Sequence, residues 1–293
     1  MKLHSPIATY LCFYHIWLVA ALVLLMALAA PAKALDIDGA EILSGNAVEG
    51  GLIIARTNPS NQIMLDDDAI EIAKNGVFVI GFHRDSDSPV KLRIIAPDGS
   101  VKTSLLSPRQ RDYNIQRIDG LKSTMVTPPA TVLARIKSDG DAVRTARQRK
   151  APLGDFWRGF DWPALGRISG IYGSQRILNG APRAPHYGID IAAAKGTPVL
   201  APAGGRITLV KELYFSGWTV LITHGFGLNA AFLHMDSVSV TSGDVVRRGT
   251  QIGTVGSTGR STGPHLDWRL DWRIDRQRRH GRWRFSQLQH TRW

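Results

Sequence analysis

Between His186 and Asp267 the chain places metal-binding and acid–base side chains inside short β-type runs, and this stretch limits the folds open to it. It contains His186-Tyr-Gly-Ile-Asp190, Phe232-Leu-His234 and Thr262-Gly-Pro-His265-Leu-Asp267. Residues two apart on a strand share a face, with backbones about 7 Å apart, so His265 and Asp267 point to the same side. His186 and Asp190 are four apart, which on a straight strand separates them by about 13 Å, too far to share an ion. The chain must bend between them, and Gly188 is the residue placed to allow it. A catalytic zinc takes three protein ligands from His, Asp, Glu or Cys and keeps a fourth position open. His186, Asp190 and one member of the His265/Asp267 pair fill that quota.

Three more blocks accompany these residues in order: Gly196-Thr-Pro-Val-Leu-Ala-Pro-Ala203, Gly243-Asp-Val-Val-Arg-Arg-Gly249 and Gly256-Ser-Thr-Gly-Arg-Ser-Thr-Gly-Pro-His-Leu266. Together with Arg183-Ala-Pro-His-Tyr-Gly-Ile-Asp-Ile191 they make the chain, from about Trp162 to about Ile274, resemble the lysostaphin-type (LytM-like) zinc endopeptidases. Those enzymes cut peptide cross-links in bacterial cell walls. The resemblance implies one Zn2+ ion with His186 and Asp190 as ligands, and His234 and His265 as the catalytic histidines beside the water and the scissile carbonyl. The family motif usually ends His-Leu-His, the last His being the third ligand, and Asp267 stands there in this chain. A carboxylate ligates zinc at about the imidazole distance, so Asp267 is read as the third ligand. Two carboxylates and one imidazole bring the centre near neutrality, which weakens its pull on a carbonyl or a water.

Two functions follow. The first is hydrolysis of peptidoglycan cross-links by a zinc endopeptidase. The alternative is a catalytically inactive member of the same fold that binds the wall or activates another cell-wall hydrolase, and Asp267 is the residue that gives it substance. His224, in Thr223-His-Gly225 beside a turn, reads as a structural histidine and is left out of the site.

The N-terminus sets the compartment. Lys2 precedes an apolar run from Ile16 to Ala30, and Ala32-Lys33-Ala34 is a small-x-small cleavage site. The run is shorter than the ~20 residues that span a bilayer, so it reads as a signal peptide over residues 1–34 rather than an anchor. The expectation is a periplasmic or secreted protein cleaved near Ala34, with no transmembrane segment in the mature chain. Cys12 is the single cysteine and lies inside the leader, which excludes a disulfide framework and a Cys-ligated zinc site. Removing Lys2 and Lys33 takes the formal charge from +12 to +10. A basic exported protein suits anionic envelope surfaces as well as peptidoglycan, and export argues against nucleic acid.

The remaining chain is mostly β. Residues 35–125 read as a small sandwich-like β domain with strands at Leu52–Arg56, Gln62–Leu65, Val77–Phe82, Lys91–Ile95 and Lys102–Leu105. Asp98-Gly99 between the last two is a hairpin signal. Residues 126–160 read as a helical and basic linker. Val132, Leu133, Ile136 and Val143 lie on one helical face, and Gly140 leaves one helix or two open. Residues 161–275 read as a second β domain, which the resemblance implies to be a mostly antiparallel β metallopeptidase domain with a groove. Residues 276–293 are a basic tail, in whose cluster Arg269 and Arg273 are counted.

Overall fold

The computed structural model describes residues 35–151 and 154–273. The leader and its cleavage site, and the tail at residues 276–293, lie outside the described residues. The chain is mostly β, as its short branched runs predict.

Seven strands come first: β1 (Glu41–Gly45), β2 (Leu52–Arg56), β3 (Gln62–Leu65), β4 (Asp68–Ile70), β5 (Val77–Gly81), β6 (Val90–Ile95) and β7 (Val101–Leu106). They make two antiparallel sheets, β1-β2-β5 and β4-β3-β6-β7. Ile53, Ile54, Phe78, Val79 and Ile80 are almost wholly buried, which is why β2 and β5 read as continuous apolar runs instead of alternating ones. The β6–β7 hairpin closes at Asp98-Gly99. Gly99 takes φ +83° and Asp98 Oδ1 accepts the Ser100 N–H at 2.9 Å, so each residue does what its type favours.

The middle of the chain holds β8 (Ile115–Ile118), the short helix α1 (Ser123–Val126) and the long helix α2 (Ala130–Ala146). Eleven strands follow: β9 (Arg167–Gly170), β10 (Gln175–Leu178), β11 (Ala181–Pro182), β12 (Ile189–Ala192), β13 (Pro198–Leu200), β14 (Gly205–Leu213), β15 (Gly217–Gly225), β16 (Leu228–Val238), β17 (Val245–Val246), β18 (Gln251–Val255) and β19 (His265–Trp272). The main sheet runs β17-β14-β15-β16-β19-β12-β9, and β18 joins it at β16 with β13 beside it. The Phe232↔Trp268 and Ile191↔Leu266 pairs stack on one buried face of this sheet.

The opposite face is covered in part by α2. Its Ala146 and Val143 pack on Leu221, Ala231 and Leu233. Gly140 does not split the helix, because the neighbouring Asp139 pins it to the sheet. Buried Asp139 accepts the Tyr214 N–H at 2.8 Å and pairs with Lys211 at 3.0 Å. The buried face therefore differs from the predicted one: Asp139 turns inward, while Leu133 is 52% exposed. The basic stretch after the helix also docks instead of lying free in solvent. Arg147 pairs with buried Asp271 at 2.9 Å, and Arg149 reaches Ser242 Oγ at 3.1 Å.

Residues 113–127 form a strap along the main sheet. β8 pairs in parallel with β10, an arrangement that local pattern does not announce. The carbonyl oxygens of Thr124, Met125 and Val126 accept hydrogen bonds from Tyr214, Arg260 and Arg183. Among the described residues no helix is long and apolar enough to cross a membrane.

His224 is fully buried, with Nδ1 2.8 Å from the Gly204 carbonyl and its ring edge-on to Phe160. Burial pushes its pKa down to about 4. The unfolded histidine titrates near 6.5, so below about that pH the unfolded chain binds the extra proton and stability falls until the folded value is reached. Urea unfolding in EDTA at pH 7 and pH 5 is expected to show a loss of about 2 kcal/mol from this residue. His224→Gln should shrink that pH dependence, and an unchanged dependence would remove the residue from the account.

Candidate functional site

The site is built where β12 and β19 lie side by side. Asp190 stands directly opposite Asp267, and Leu233 of β16 flanks Asp267 on the other side. Strand alternation puts His265, Asp267, Arg269 and Asp271 on one face of β19 and sends Leu266, Trp268, Leu270 and Trp272 into the core.

His186 precedes β12 and reaches the same place because its backbone is tied to another loop. Its N–H donates to the Ser174 carbonyl at 2.8 Å, and its carbonyl accepts the Gly173 N–H at 2.7 Å. The chain folds back enough to bring His186 Nε2 within 3.1 Å of Asp190 Oδ1. Gly188 makes this possible by a route the spacing did not predict. Its φ is not in the left-handed region; what it supplies is room. A Cβ at Gly188 would overlap Oδ1 of Asp267 and lie 2.8 Å from Cγ of Arg269. Gly170 does the same for Asp190, whose Oδ2 a Cβ there would overlap.

His186, Asp190 and Asp267 are all buried, and one donor atom from each lies within 4.8 Å of the others. They are the one such His/Cys/Asp/Glu cluster among the described residues. Nδ1 and Nε2 of His186 and Oδ1 of Asp190 have no hydrogen-bond partner among those residues. Orphaned buried polar atoms are costly unless something pairs with them. Two ligands at zinc distance in a tetrahedral site stand roughly 3.3 Å apart, close to the His186–Asp190 spacing. The donor set therefore fits a zinc ion.

The two remaining histidines stand together, with ring centroids 4.8 Å apart. His234, within β16's buried stretch, takes φ +64°, a conformation costly for a non-glycine residue and concentrated at functional sites. Its Nδ1 faces the Thr258 carbonyl at 2.7 Å, and His265 Nδ1 faces the Gly263 carbonyl at 2.9 Å. A carbonyl accepts only, so each Nδ1 carries the proton and each Nε2 is left as an acceptor. Burial pushes the His234 pKa down to about 4, keeping the ring neutral at pH 7. His265 Nε2 lies 3.9 Å from Asp190 Oδ1.

Two arginines belong to the site and were not assigned to it from the sequence. Arg176 of β10 donates Nη2 to Asp190 Oδ2 at 2.7 Å and Nε to Gln116 of the strap at 3.1 Å. Arg269 grips Asp267: Nε lies 2.9 Å from Oδ1 and 3.1 Å from Oδ2, and Nη2 bonds Oδ2. Counting Arg269 with the basic tail was an error that strand alternation could have prevented, since it stands two residues after Asp267. Arg176 could not be found that way, because it arrives from another sheet. The sequence-based charge count of two carboxylates and one imidazole leaves out two guanidinium groups, Arg176 on Asp190 and Arg269 on Asp267. Asp267 and Arg269 together carry no net charge, as a neutral imidazole would. Burial opposes ionisation of Asp267, yet the Arg269 guanidinium and the nearby histidines hold it well below the usual carboxylate range. Asp190 is likewise lowered against the cost of burial, by His186 and Arg176.

A cleft of about 300 Å³ opens at Asp190, His234 and His265 and is bounded by Arg176, Arg260 and, from the strap, Gln116. Tyr172 takes no part in it. It is buried, and its ring fills the space beside Gly50.

The sequence profile described as Peptidase family M23 matches residues 184–279, which include all five of these His and Asp residues. The chain carries a peptidase M23 domain. Among curated relatives of the M23 chain, the peptidoglycan DD-endopeptidase ShyA of Vibrio cholerae is 35% identical over 123 residues, 42% of this chain and 26% of that protein. The murein hydrolase activator NlpD of Salmonella typhimurium is 31% identical over 137 residues, 46% of this chain and 33% of that protein. The chain thus spans about a quarter of the first and a third of the second. The crystal structure of a protein assigned to peptidase M23 from Pseudomonas aeruginosa matches with a TM-score of 0.61 at 26% identity, over 78% of this chain and 91% of that one. That coverage exceeds the profile-matched domain, so the likeness extends into the preceding elements.

Proposed function

We propose that the M23 chain is a zinc-dependent endopeptidase that hydrolyses peptide cross-links of peptidoglycan in the bacterial envelope. The observation that carries this reading is the buried cluster of His186, Asp190 and Asp267, whose member Asp190 lines a cleft together with the His234/His265 pair. The 35% identity to ShyA over 123 residues supports the substrate class.

His186, Asp190 and Asp267 would hold the ion. A bound zinc supplies Lewis acidity toward a carbonyl and toward water. His265, beside Asp190, has an acceptor Nε2 positioned to take a proton from the attacking water and return it to the leaving amine. His234 is kept neutral and faces the same cleft, where its Nε2 exchanges a proton or orients the carbonyl. The strap and the β10 wall confine an extended peptide along the sheet face that bears these groups.

Asp267 together with the NlpD similarity supports a second reading, a wall-binding hydrolase activator without metal. Metal analysis of the purified chain, paired with digestion of purified peptidoglycan, separates the two. The expected result is near-stoichiometric zinc, with muropeptide release that EDTA stops and zinc restores. No zinc after supplementation and no release would leave the activator.

A further inference from the structure

We propose that Arg269 sets the metal affinity of this centre by holding Asp267 in competition with the ion, so that Asp267 and Arg269 act together as one neutral ligand. The inference rests on the metal-centre reading above.

Asp267 is fully buried, so no water shares its oxygens, and Arg269 contacts both of them. The two other carboxylates near the arginine already have partners of their own, and Asp190 is held by Arg176 at 2.7 Å. Asp271, the next one along the strand, is held by Arg147 at 2.9 Å and Arg273 at 3.3 Å. Nor can Arg269 swing freely, because its stem lies against Gly188, where a Cβ would meet Cγ at 2.8 Å. The strand thus fixes a full positive charge directly behind a metal ligand. Asp190 is treated differently: Arg176 takes Oδ2 and leaves Oδ1 to His186, whose Nε2 stands 3.1 Å away.

Groups behind metal ligands commonly strengthen binding by fixing the ligand's orientation. A guanidinium gripping both oxygens acts the other way on balance. It draws electron density from the oxygens that must bind the cation, and its own charge repels a divalent ion across a water-poor site. Without Arg269, Asp267 would face Asp190, itself paired with Arg176, across β12 and β19 with no guanidinium of its own, and a bound cation would supply the missing charge.

The test is a zinc competition titration of the metal-stripped full chain against a fluorescent chelator. Arg269→Gln is expected to bind zinc about 10- to 100-fold more tightly than wild type, the scale on which residues behind metal ligands act. Arg269→Lys keeps a cation but cannot grip both oxygens, and should fall between the two. A purely structural role would predict weaker binding in both variants. Unchanged or weaker zinc binding in Arg269→Gln overturns the proposal, and if that variant does not fold, the direction of the Arg269→Lys change decides it. Zinc binding by wild type that ignores residue 269 removes this inference alone. Absence of zinc from wild type and both variants removes the metal-centre reading with it.

Discussion

His186→Ala is expected to strip the M23 chain of zinc and to abolish peptidoglycan cleavage while leaving the fold largely intact. The buried ring makes one close polar contact among the described residues, Nε2 with Asp190 Oδ1 at 3.1 Å, so it holds little of the fold together. Removing it leaves the carboxylates of Asp190 and Asp267, each already gripped by an arginine. A site with three protein ligands that loses one should lose more affinity than the 10- to 100-fold typical of residues behind ligands. The stability change should be small, roughly 1 kcal/mol, because the lost packing is partly offset by the loss of the unsatisfied Nδ1. Metal content and thermal unfolding in EDTA check both halves. A variant that keeps stoichiometric zinc would sink the assignment of His186.

Gly188→Ala should damage the same site without touching a ligand. The new methyl would overlap Oδ1 of Asp267 and lie 2.9 Å from the Trp268 carbonyl, which belongs to a central strand and cannot retreat. Overpacking of this kind costs about 1–3 kcal/mol. Displacing Asp267 should in addition weaken zinc binding on the order of 10-fold or more. Gly140→Ala in α2 is the control: a Cβ there meets nothing within 4 Å, and the helix should gain about 0.5–1 kcal/mol. Urea unfolding and zinc titration of the two variants read out the contrast. Wild-type behaviour of Gly188→Ala in both assays would mean that the carboxylate does not occupy the space assigned to it.

These expectations rest on two kinds of information. Wherever a residue acts on its own neighbourhood, the sequence was legible. The apolar runs of β2 and β5, the Asp98-Gly99 hairpin and the long strands β14, β15, β16 and β19 follow from side-chain shape and turn chemistry over a few residues. His186, Asp190, His265 and Asp267 could be named from their types and spacing and His234 from the family resemblance; the structure clusters His186, Asp190 and Asp267 and lines a cleft with Asp190, His234 and His265. Their roles remain the proposal made above.

What the sequence alone could not decide depends on groups that meet from distant parts of the chain. The strap's parallel pairing of β8 with β10 joins residues 60 apart, as Gln175↔Ile115 shows, and no local pattern specifies such a partner. The inward face of α2 was set by Asp139 finding Tyr214 and Lys211, not by the apolarity of Leu133. Arg176 and Arg269 entered the site because burial removes water from Asp190 and Asp267, and each charge left there needs an opposite charge beside it. The residue types of the centre were therefore written in the sequence. Its net charge, and the space Gly170 and Gly188 leave for the carboxylates, were decided only when the strands packed.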